Sequence, residues 1–475
     1  MKQLKIINEL KQLLIETHQI ETAFLYGSFA RQNPTINSDI DIAIVVNNDF
    51  DIEEMLKVFQ NHFSIGLLKI LRVDLRNKIV LYFNELPKVE IAFSQNISEY
   101  DRNYLGSEIS IDKISDSILF DRKGNALQHF NTITVVKESL KDKNKETEIS
   151  NLINKFGYEF ESCSAMHRRS DGYQFYFFYN IALQVAIQLN HFSKGHSKFN
   201  FLPKYFIANI LTKEEQDPFY SLRGTLFLPE ANQQKRKLLD FFYSAINSLV
   251  TTEKQNEVKQ FCETIFDRDF FWNFRDISTH NPKLKSGKIF RTATMTFFQN
   301  ETRFNELLNN KKIKTVIDLR ADKEIEEMPY SDETLSKFNY VKTQLDPWNQ
   351  PKWFKENHNQ GTNEEIAYRY FAIGCNDKIK KAMEAIINEQ NGSVAIHCFA
   401  GKDRTGIFIS LLHLLAETPI EIINADYLAS EVDVKIHRLN LVLDIINGKG
   451  GIEPYLLSCG LSENQIFQLK QKLLK

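Results

Sequence analysis

The chain has 475 residues, of which 43% are apolar and 25% charged, with a formal net charge of −2 at pH 7. This length exceeds what one hydrophobic core supports, so two or three domains are expected. The near-neutral charge argues against nucleic acid as a partner, and no apolar run reaches the roughly 18 residues of a membrane span. The five cysteines are scattered without a CxxC pair, which argues against a disulfide framework or a zinc site. We therefore expect a cytoplasmic protein without a membrane span.

Residues 1–125 alternate between helical and strand patterns. An amphipathic N-terminal segment is followed by the strand-like runs TAFLYGS, DIDIAIVV, KIVLYF and KVEIAF, with a helical pattern near 50–64. This succession predicts a small α/β domain with a mixed sheet.

Two acidic residues, Asp39 and Asp41, begin the run DIDIAIVV. Residues two apart in a strand point to the same face, so the two carboxylates repel unless a divalent cation lies between them. Magnesium commonly uses such a pair together with substrate phosphates. Glu90, in KVEIAF, is the candidate third carboxylate of a two-metal site. Gly27 and Ser28 would bring the backbone and a hydroxyl close to a phosphate. Taken alone, an Asp-x-Asp strand is also compatible with a solvated sheet edge.

Residues 126–267 have a different pattern, in which strand signals fade. The stretches QFYFFYNIALQVAIQLNHF and KRKLLDFFYSAINSLVTTEKQNEVKQFCETIF have helical spacing. They predict an all-helical middle domain.

Residues 268–475 return to an alternating pattern. KTVIDLR and SVAIHCF indicate strands, and NDKIKKAMEAIINEQ and GIFISLLHLLAE indicate helices. The whole chain is therefore predicted to be a multidomain α/β protein, with a central sheet in this last domain.

The loop HCFAGKDRTG connects the second of these strands to a helix. Its backbone N–H groups would lie at the helix N-terminus, where they bind anions and stabilise a thiolate at Cys398. Arg404 would hold two phosphate oxygens in a bidentate fork. Such a site suits attack on a phosphate monoester through a phosphocysteine intermediate. Thr405 would donate to the departing sulfur, and His397 would orient the loop.

This segment resembles the cysteine-dependent protein tyrosine phosphatase superfamily, especially bacterial tyrosine and dual-specificity phosphatases whose loop reads HCxxGKDR. The stretches NFRDISTHNPKLKSGKIFRTA and TVIDLRADKEIEE support the resemblance, which covers roughly 268–475. It implies phosphoester hydrolysis without a metal or other cofactor. The substrate remains open between phosphotyrosine, a lipid phosphate and a phosphorylated small molecule.

The resemblance places the general acid at Asp403, inside the loop. The alternative is Asp346 in QLDPWNQP, which resembles the mobile acid loop of other tyrosine phosphatases. Gly401 belongs to the loop backbone that would face the phosphate, and Lys402 adds positive charge at its mouth.

The N-terminal part resembles the nucleotidyltransferase superfamily related to DNA polymerase β, whose small bacterial members have a GS pair, ten residues and DxD. The match covers about 1–125 and includes SILFDRKGN. It implies that the three acids named above bind magnesium, that Gly27 and Ser28 bind the triphosphate, and that Arg31 contacts phosphates. The implied reaction transfers a nucleoside monophosphate from an NTP, with ATP the first candidate, to a hydroxyl. A helical domain often closes the acceptor site in such enzymes, so 126–267 is expected to bind the acceptor.

The sequence thus predicts a bifunctional enzyme with domains 1–125, 126–267 and 268–475. Two alternatives stay open. The N-terminal part would be a nucleotide-binding regulator of the phosphatase, or the chain would belong to a toxin–antitoxin or defence system that modifies protein or RNA.

Overall fold

The computed structural model describes residues 2–475 except 64–65, 74–76, 86, 106–108, 110, 141–144, 197–205, 208–209 and 431–432. The chain forms two compact units. The first comprises Met1–Lys155, Gln184–Ser221 and Phe241–Gln255, and the second Phe156–Leu183, Leu222–Asp240 and Asn256–Lys475. The segment 126–267 is thus divided between the units, and the three-domain division of the sequence stays a prediction.

The N-terminal sheet has six strands among the described residues, in the order β3-β4-β5-β2-β1-β6. They are β1 Ile20–Tyr26, β2 Ile40–Val46, β3 Leu67–Val73, β4 Lys78–Phe83, β5 Val89–Ser94 and β6 Ile118–Asp121. Strands β2 and β5 are parallel, whereas the other neighbours are antiparallel. The predicted mixed sheet is confirmed.

Short helices surround this sheet. They are α1 Lys2–Glu16, α2 Gly27–Ala30, α3 Ile52–His62, α4 Asp101–Leu105 and α5 Ile114–Ser117. In α1 the buried residues Ile7, Leu10 and Leu14 recur at helical spacing, so one face of the helix packs on the core. Asp51 caps α3 by accepting from two backbone N–H groups of its first turn.

The regular elements that the structure describes in residues 126–267 are helices, as the sequence predicts, and turns or irregular segments connect them. The helices are α6 Ala126–Leu140, α7 Lys145–Arg168, α8 Gly172–Ser193, α9 Lys213–Tyr220, α10 Ala231–Ile246 and α11 Thr252–Arg268. Aromatic side chains four residues apart, such as Phe156 and Phe160 in α7, lie on one helix face and are fully buried.

The C-terminal sheet has five strands within the described ranges, in the order β10-β9-β11-β8-β7. They are β7 Arg275–Asp276, β8 Ile289–Thr292, β9 Ile313–Asp318, β10 Asn339–Lys342 and β11 Ser393–His397. All neighbours are parallel except β7 and β8. Every residue of β11 is buried, as expected for the middle of a parallel sheet covered on both faces.

Helices cover this sheet. They are α12 Thr302–Asn310, α13 Asp322–Glu327, α14 Asp332–Leu335, α15 Lys352–Asn357, α16 Asn363–Gly374, α17 Asn376–Asn388, α18 Asp403–Leu415, α19 Ile420–Leu428, α20 Ile436–Gly448, α21 Ile452–Ser458 and α22 Glu463–Leu473. The predicted α/β domain with a central sheet is confirmed. Among the described residues, no helix is long and apolar enough to cross a bilayer. All five cysteines are buried free thiols.

Candidate active sites

The loop around Cys398 lies between the carboxyl end of β11 and the first turn of α18. Cys398 is only 3% exposed. Gly401 has φ +70°, and a Cβ there would lie 2.3 Å from the carbonyl oxygen of Thr292, so only glycine fits. No acceptor in the described part of the chain pairs with the backbone N–H groups of Phe399, Ala400 or Gly401. The loop therefore offers free donors next to the thiol, as the sequence predicts.

The carbonyl groups of Ala400 and Gly401 in this loop accept hydrogen bonds from two side chains, those of Asn273 and Arg291. Nδ2 of Asn273 donates to the carbonyl oxygens of Gly401 at 2.8 Å and Ala400 at 3.2 Å. Nη2 of Arg291 donates to the same Gly401 oxygen at 2.9 Å. Because these carbonyls point to Asn273 and Arg291, the N–H groups stay available on the other side.

A buried ion cluster fixes Arg291 in turn. Its Nη1 donates to Oδ2 of Asp426 at 2.5 Å, and Nε of Arg275 donates to Oδ1 at 3.1 Å. Burial alone would raise the pKa of Asp426, but the two guanidinium groups hold it well below its usual range. The hydroxyl of Ser430 accepts from both arginines. His413 lies 4.0 Å from Asp426, and its burial lowers its pKa to about 4.

His397 is fully buried at the end of β11 and contacts the start of the loop. Its Nδ1 lies 2.9 Å from the carbonyl oxygen of Cys398, and its Nε2 lies 3.0 Å from the hydroxyl of Tyr330. A carbonyl only accepts, so Nδ1 donates to it and Nε2 accepts from the tyrosine. Burial lowers the pKa of His397, in keeping with a neutral ring. This geometry suits the predicted role of orienting the loop.

Arg404, in the first turn of α18, is held by a carboxylate that the sequence did not reveal. Its Nη1 and Nη2 donate to the two oxygens of Glu324 at 2.5 and 2.7 Å, and Nη1 also contacts the carbonyl of Leu319. Burial opposes a raised pKa, but Glu324 and the charge of Cys398 raise the pKa of Arg404. Its Nε–H pairs with no acceptor within the described residues, which leaves that donor for a phosphate oxygen.

The two candidates for the general acid differ in their surroundings. Oδ1 of Asp403 accepts from the hydroxyl of Tyr368 at 2.5 Å, and that hydroxyl lies 2.6 Å from the hydroxyl of Tyr427. Oδ1 of Asp346 instead accepts from the backbone N–H of Trp348 within its own turn. A cavity of about 190 Å³ is lined by residues that include Trp348, Tyr368, Lys402, Asp403, Arg404 and Arg438. Asp403 lines this cavity and Asp346 does not, but Cys398 does not line it either, so the assignment of the general acid to Asp403 stays a prediction.

Thr405 follows Arg404 in α18 and is fully buried. Its hydroxyl has no hydrogen-bond partner among the residues the structure describes. A buried hydroxyl without a partner costs free energy. Because no described acceptor uses the hydroxyl hydrogen of Thr405, it is available for the predicted contact with the sulfur of Cys398.

The N-terminal acids meet at one end of the mixed sheet. Asp41 pairs in register with Glu90 of the parallel strand β5 and with Tyr26 of β1. Asp39 lies two residues before Asp41, just ahead of β2. Gly27 has φ +67°, and a Cβ there would lie 2.2 Å from Oδ2 of Asp41. Glycine is therefore required beside this carboxylate.

The three carboxylates differ in their partners. Burial, then Glu90 and Asp39, raises the pKa of Asp41 to about 6, and no cation pairs with Asp41 in the described ranges. Glu90 accepts from Lys78 at 2.8 Å and from Lys88, and these bonds lower its pKa although burial opposes this. Asp39 lies 3.7 Å from Nζ of Lys88.

These contacts test the fit of a divalent cation. Asp39 and Asp41 fit such a cation, because Asp41 is half-buried among like charges without a counter-ion. Glu90 does not fit as it stands, since two lysines use its oxygens. No group of three His, Cys, Asp or Glu side chains is arranged to hold a metal ion in the parts of the chain that are described.

The other predicted phosphate contacts lie beside these acids in sequence. Ser28 belongs to the single turn of α2, and Arg31 directly follows it. Nε of Arg31 is buried and has no hydrogen-bond partner among the described residues. Both residues stay predictions as phosphate ligands.

Comparisons with known proteins match both halves of the chain. Residues 266–475 match the model of the tyrosine phosphatase family, and residues 8–111 match that of the polymerase beta nucleotidyltransferases. A tyrosine-protein phosphatase of Nostoc commune is 33% identical over 20% of this chain and 44% of its own length. The chain thus spans less than half of that relative.

Two solved structures are also similar. P. aeruginosa TpbA, in complex with pTyr, is 10% identical over 38% of this chain and 93% of its own, with a TM-score of 0.22. A nucleotidyltransferase-like protein from Exiguobacterium sibiricum is 13% identical over 64% of this chain and 84% of its own, with a TM-score of 0.24. On the family matches, the chain carries two domains of enzyme families, a polymerase beta nucleotidyltransferase domain in its N-terminal part and a tyrosine phosphatase family domain in its C-terminal part.

Proposed function

We propose that the chain is a bifunctional enzyme. Its C-terminal part hydrolyses phosphate monoesters at Cys398, and its N-terminal part transfers a nucleoside monophosphate from an NTP to a hydroxyl acceptor. The observation that carries the proposal is the loop of N–H groups that are unpaired among the described residues, next to a buried cysteine and followed by Arg404 in the first turn of α18.

In the phosphatase reaction, the thiolate sulfur of Cys398 attacks phosphorus and forms the S–P bond. The bond from phosphorus to the ester oxygen breaks, and Asp403 gives its proton to that oxygen. The loop N–H groups and Arg404 stabilise the charge on the remaining phosphate oxygens. The oxygen of water then attacks the phosphorus of the phosphocysteine, and the water proton passes to Asp403. The S–P bond breaks, which releases inorganic phosphate and the Cys398 thiolate, and Thr405 stabilises the departing sulfur with a hydrogen bond.

In the transferase reaction, the acceptor hydroxyl oxygen attacks the α-phosphorus of the NTP and forms the new P–O bond. The bond from the α-phosphorus to the oxygen that bridges to the β-phosphorus breaks, pyrophosphate leaves, and the hydroxyl proton passes to solvent. Asp39 and Asp41 would hold magnesium, which when bound neutralises and orients the triphosphate. Gly27 lets the backbone approach the phosphates, while Ser28 and Arg31 donate hydrogen bonds to them. The helical segment 126–267 would bind the acceptor.

The transferase is tested with the Cys398→Ser chain, which cannot remove a label by phosphocysteine chemistry. It is incubated with α-labelled NTPs, magnesium and a cell extract, beside the same chain carrying Asp41→Asn. Label that appears on a metabolite, protein or RNA only when Asp41 is intact supports transfer and identifies the acceptor class. NTP binding without transfer would instead make the N-terminal part a nucleotide-binding regulator.

The phosphatase is tested with p-nitrophenyl phosphate in the presence of EDTA. The wild-type chain is expected to hydrolyse it and the Cys398→Ser chain is not. Hydrolysis that survives Cys398→Ser would refute the cysteine mechanism.

A further inference from the structure

Two lysines lie among the three carboxylates of the N-terminal site. Lys78, on β4, donates to Oε2 of Glu90 at 2.8 Å, and Lys88 donates to Oε1. Nζ of Lys88 also lies 3.7 Å from Oδ2 of Asp39. The Lys88 ammonium group is therefore shared between Asp39 and Glu90.

We propose that Lys78 and Lys88 take the place of one of the two divalent cations expected at such a site, so that it binds a single divalent cation through Asp39 and Asp41. This inference rests on the proposed transferase function and specifies its metal requirement.

The carboxylate of Glu90 carries the first part of the argument. Each of its two oxygens already accepts a hydrogen bond from an ammonium group. A divalent cation would have to share such an oxygen with a like charge a few ångströms away. The side chains of Glu90, Lys78 and Lys88 are 17%, 24% and 34% exposed, so solvent screens this repulsion only in part.

The other two carboxylates accept no hydrogen bond from a lysine among the described residues, since Nζ of Lys88 lies 3.7 Å from Asp39, beyond hydrogen-bond distance. Asp41 has no ion-pair partner among the described residues, and it lies opposite Tyr26 in register. Tyr26 is 9% exposed, and its hydroxyl has no hydrogen-bond partner in the described part of the chain. The Asp41 carboxylate and the Tyr26 hydroxyl are therefore still unpaired among the described residues, whereas both oxygens of Glu90 already accept hydrogen bonds.

The charge of the site gives an independent argument. Two divalent cations on three carboxylates leave one net positive charge next to the triphosphate. One divalent cation and two lysines on the same three carboxylates leave the same net charge. The lysines thus supply the electrostatic effect of a second metal on the bound phosphates without occupying a coordination site.

The experiment counts bound metal directly. The full chain is dialysed to equilibrium against Mn²⁺ alone, and bound Mn²⁺ is measured by electron paramagnetic resonance, together with the melting temperature of each variant. Only the Mn²⁺ that is lost in Asp41→Asn is counted, which removes adventitious surface binding. Lys69→Met, on an exposed position of β3, is the matched control for loss of a lysine.

The proposal expects one such Mn²⁺ per chain in the wild type and in Lys69→Met, and two in the double variant Lys78→Met, Lys88→Met, where both oxygens of Glu90 are released. Two in the wild type, or one in the double variant, would overturn it and leave the transferase proposal intact. No Mn²⁺ dependent on Asp41 would overturn both.

Discussion

The side chain of Asn273 is expected to support both folding and phosphate binding. It is 3% exposed, and its amide is the donor for the carbonyl of Ala400, which has no other donor among the described residues. Gly401 keeps its bond from Arg291 when Asn273 is lost. One buried acceptor left without a partner costs about 1–3 kcal/mol. Asn273→Gly removes this bond without the roughly 1–2 kcal/mol of backbone strain that alanine would add at φ +51°. It also removes the contacts of the side chain with Arg275 and Ser430, so this cost is a lower bound on the loss in stability.

The matched control is Lys312→Gly. Lys312 has φ +52° and an exposed side chain, so this change measures the entropic cost of a new glycine in the unfolded chain. Urea unfolding is expected to show Asn273→Gly at least about 1–3 kcal/mol less stable than this control. If the loop N–H groups lose their orientation, kcat/KM for p-nitrophenyl phosphate falls about tenfold for each 1.4 kcal/mol of transition-state stabilisation that is lost. Vanadate then also inhibits less. A loss of stability with unchanged kcat/KM and vanadate inhibition would refute the link between these carbonyls and phosphate binding.

Three other predictions concern the same domain. Gly401→Ala places a methyl group 2.3 Å from the Thr292 carbonyl, so phosphatase activity is expected to be lost while label transfer is unchanged; retained hydrolysis would contradict this. Asp403→Asn is expected to lower kcat about 10²-fold or more for phenyl phosphate and less for p-nitrophenyl phosphate, whose leaving group needs less protonation, with little effect of Asp346→Asn; the opposite ranking would assign the acid to Asp346. The pKa of His413 is lowered from 6.5 to about 4, so the unfolded chain binds more protons between these values and the free energy of unfolding falls as the pH falls through them. His413→Gln should remove about 3 kcal/mol of this dependence in urea titrations at pH 7 and pH 4, and equal slopes would disprove it.

The parts of the sites that were predicted from sequence are local ones. The strand, loop and helix around Cys398 occupy consecutive residues, and the structure places them as β11, the loop and α18. Strand periodicity also placed Asp39, Asp41 and Glu90 at the sheet, because alternate residues share a face. The pairing of β2 with β5 then brings Glu90 beside Asp41.

The parts that were missed come from distant segments. Asn273, Glu324 and Asp426 are single polar residues far from Cys398 in sequence, and no periodic pattern distinguishes them from solvated ones. They reach the loop through the tertiary packing of the helices and connecting segments that carry them. Lys88 could have been found from the sequence, since it directly precedes β5 and lies two residues before Glu90, a spacing that favours the same face.

The contact between α7 and Asn273 bears on where the phosphatase begins. The backbone N–H of Asn273 donates to the carbonyl of Arg168 at 2.6 Å, and Nζ of the buried Lys235 donates to the carbonyl of Asp269 at 3.1 Å. The family match begins at residue 266, so it includes Asn273 and Asp269 but not their partners Arg168 and Lys235 on two upstream helices. A gene fragment encoding only the matched residues would produce a shorter chain. That chain would lack the Arg168 carbonyl that accepts from the backbone N–H of Asn273, and the Lys235 ammonium group that donates to the carbonyl of Asp269. The family match marks the part that the members of this family share, whereas we expect folding of the domain in this chain to depend also on helices that the match leaves out.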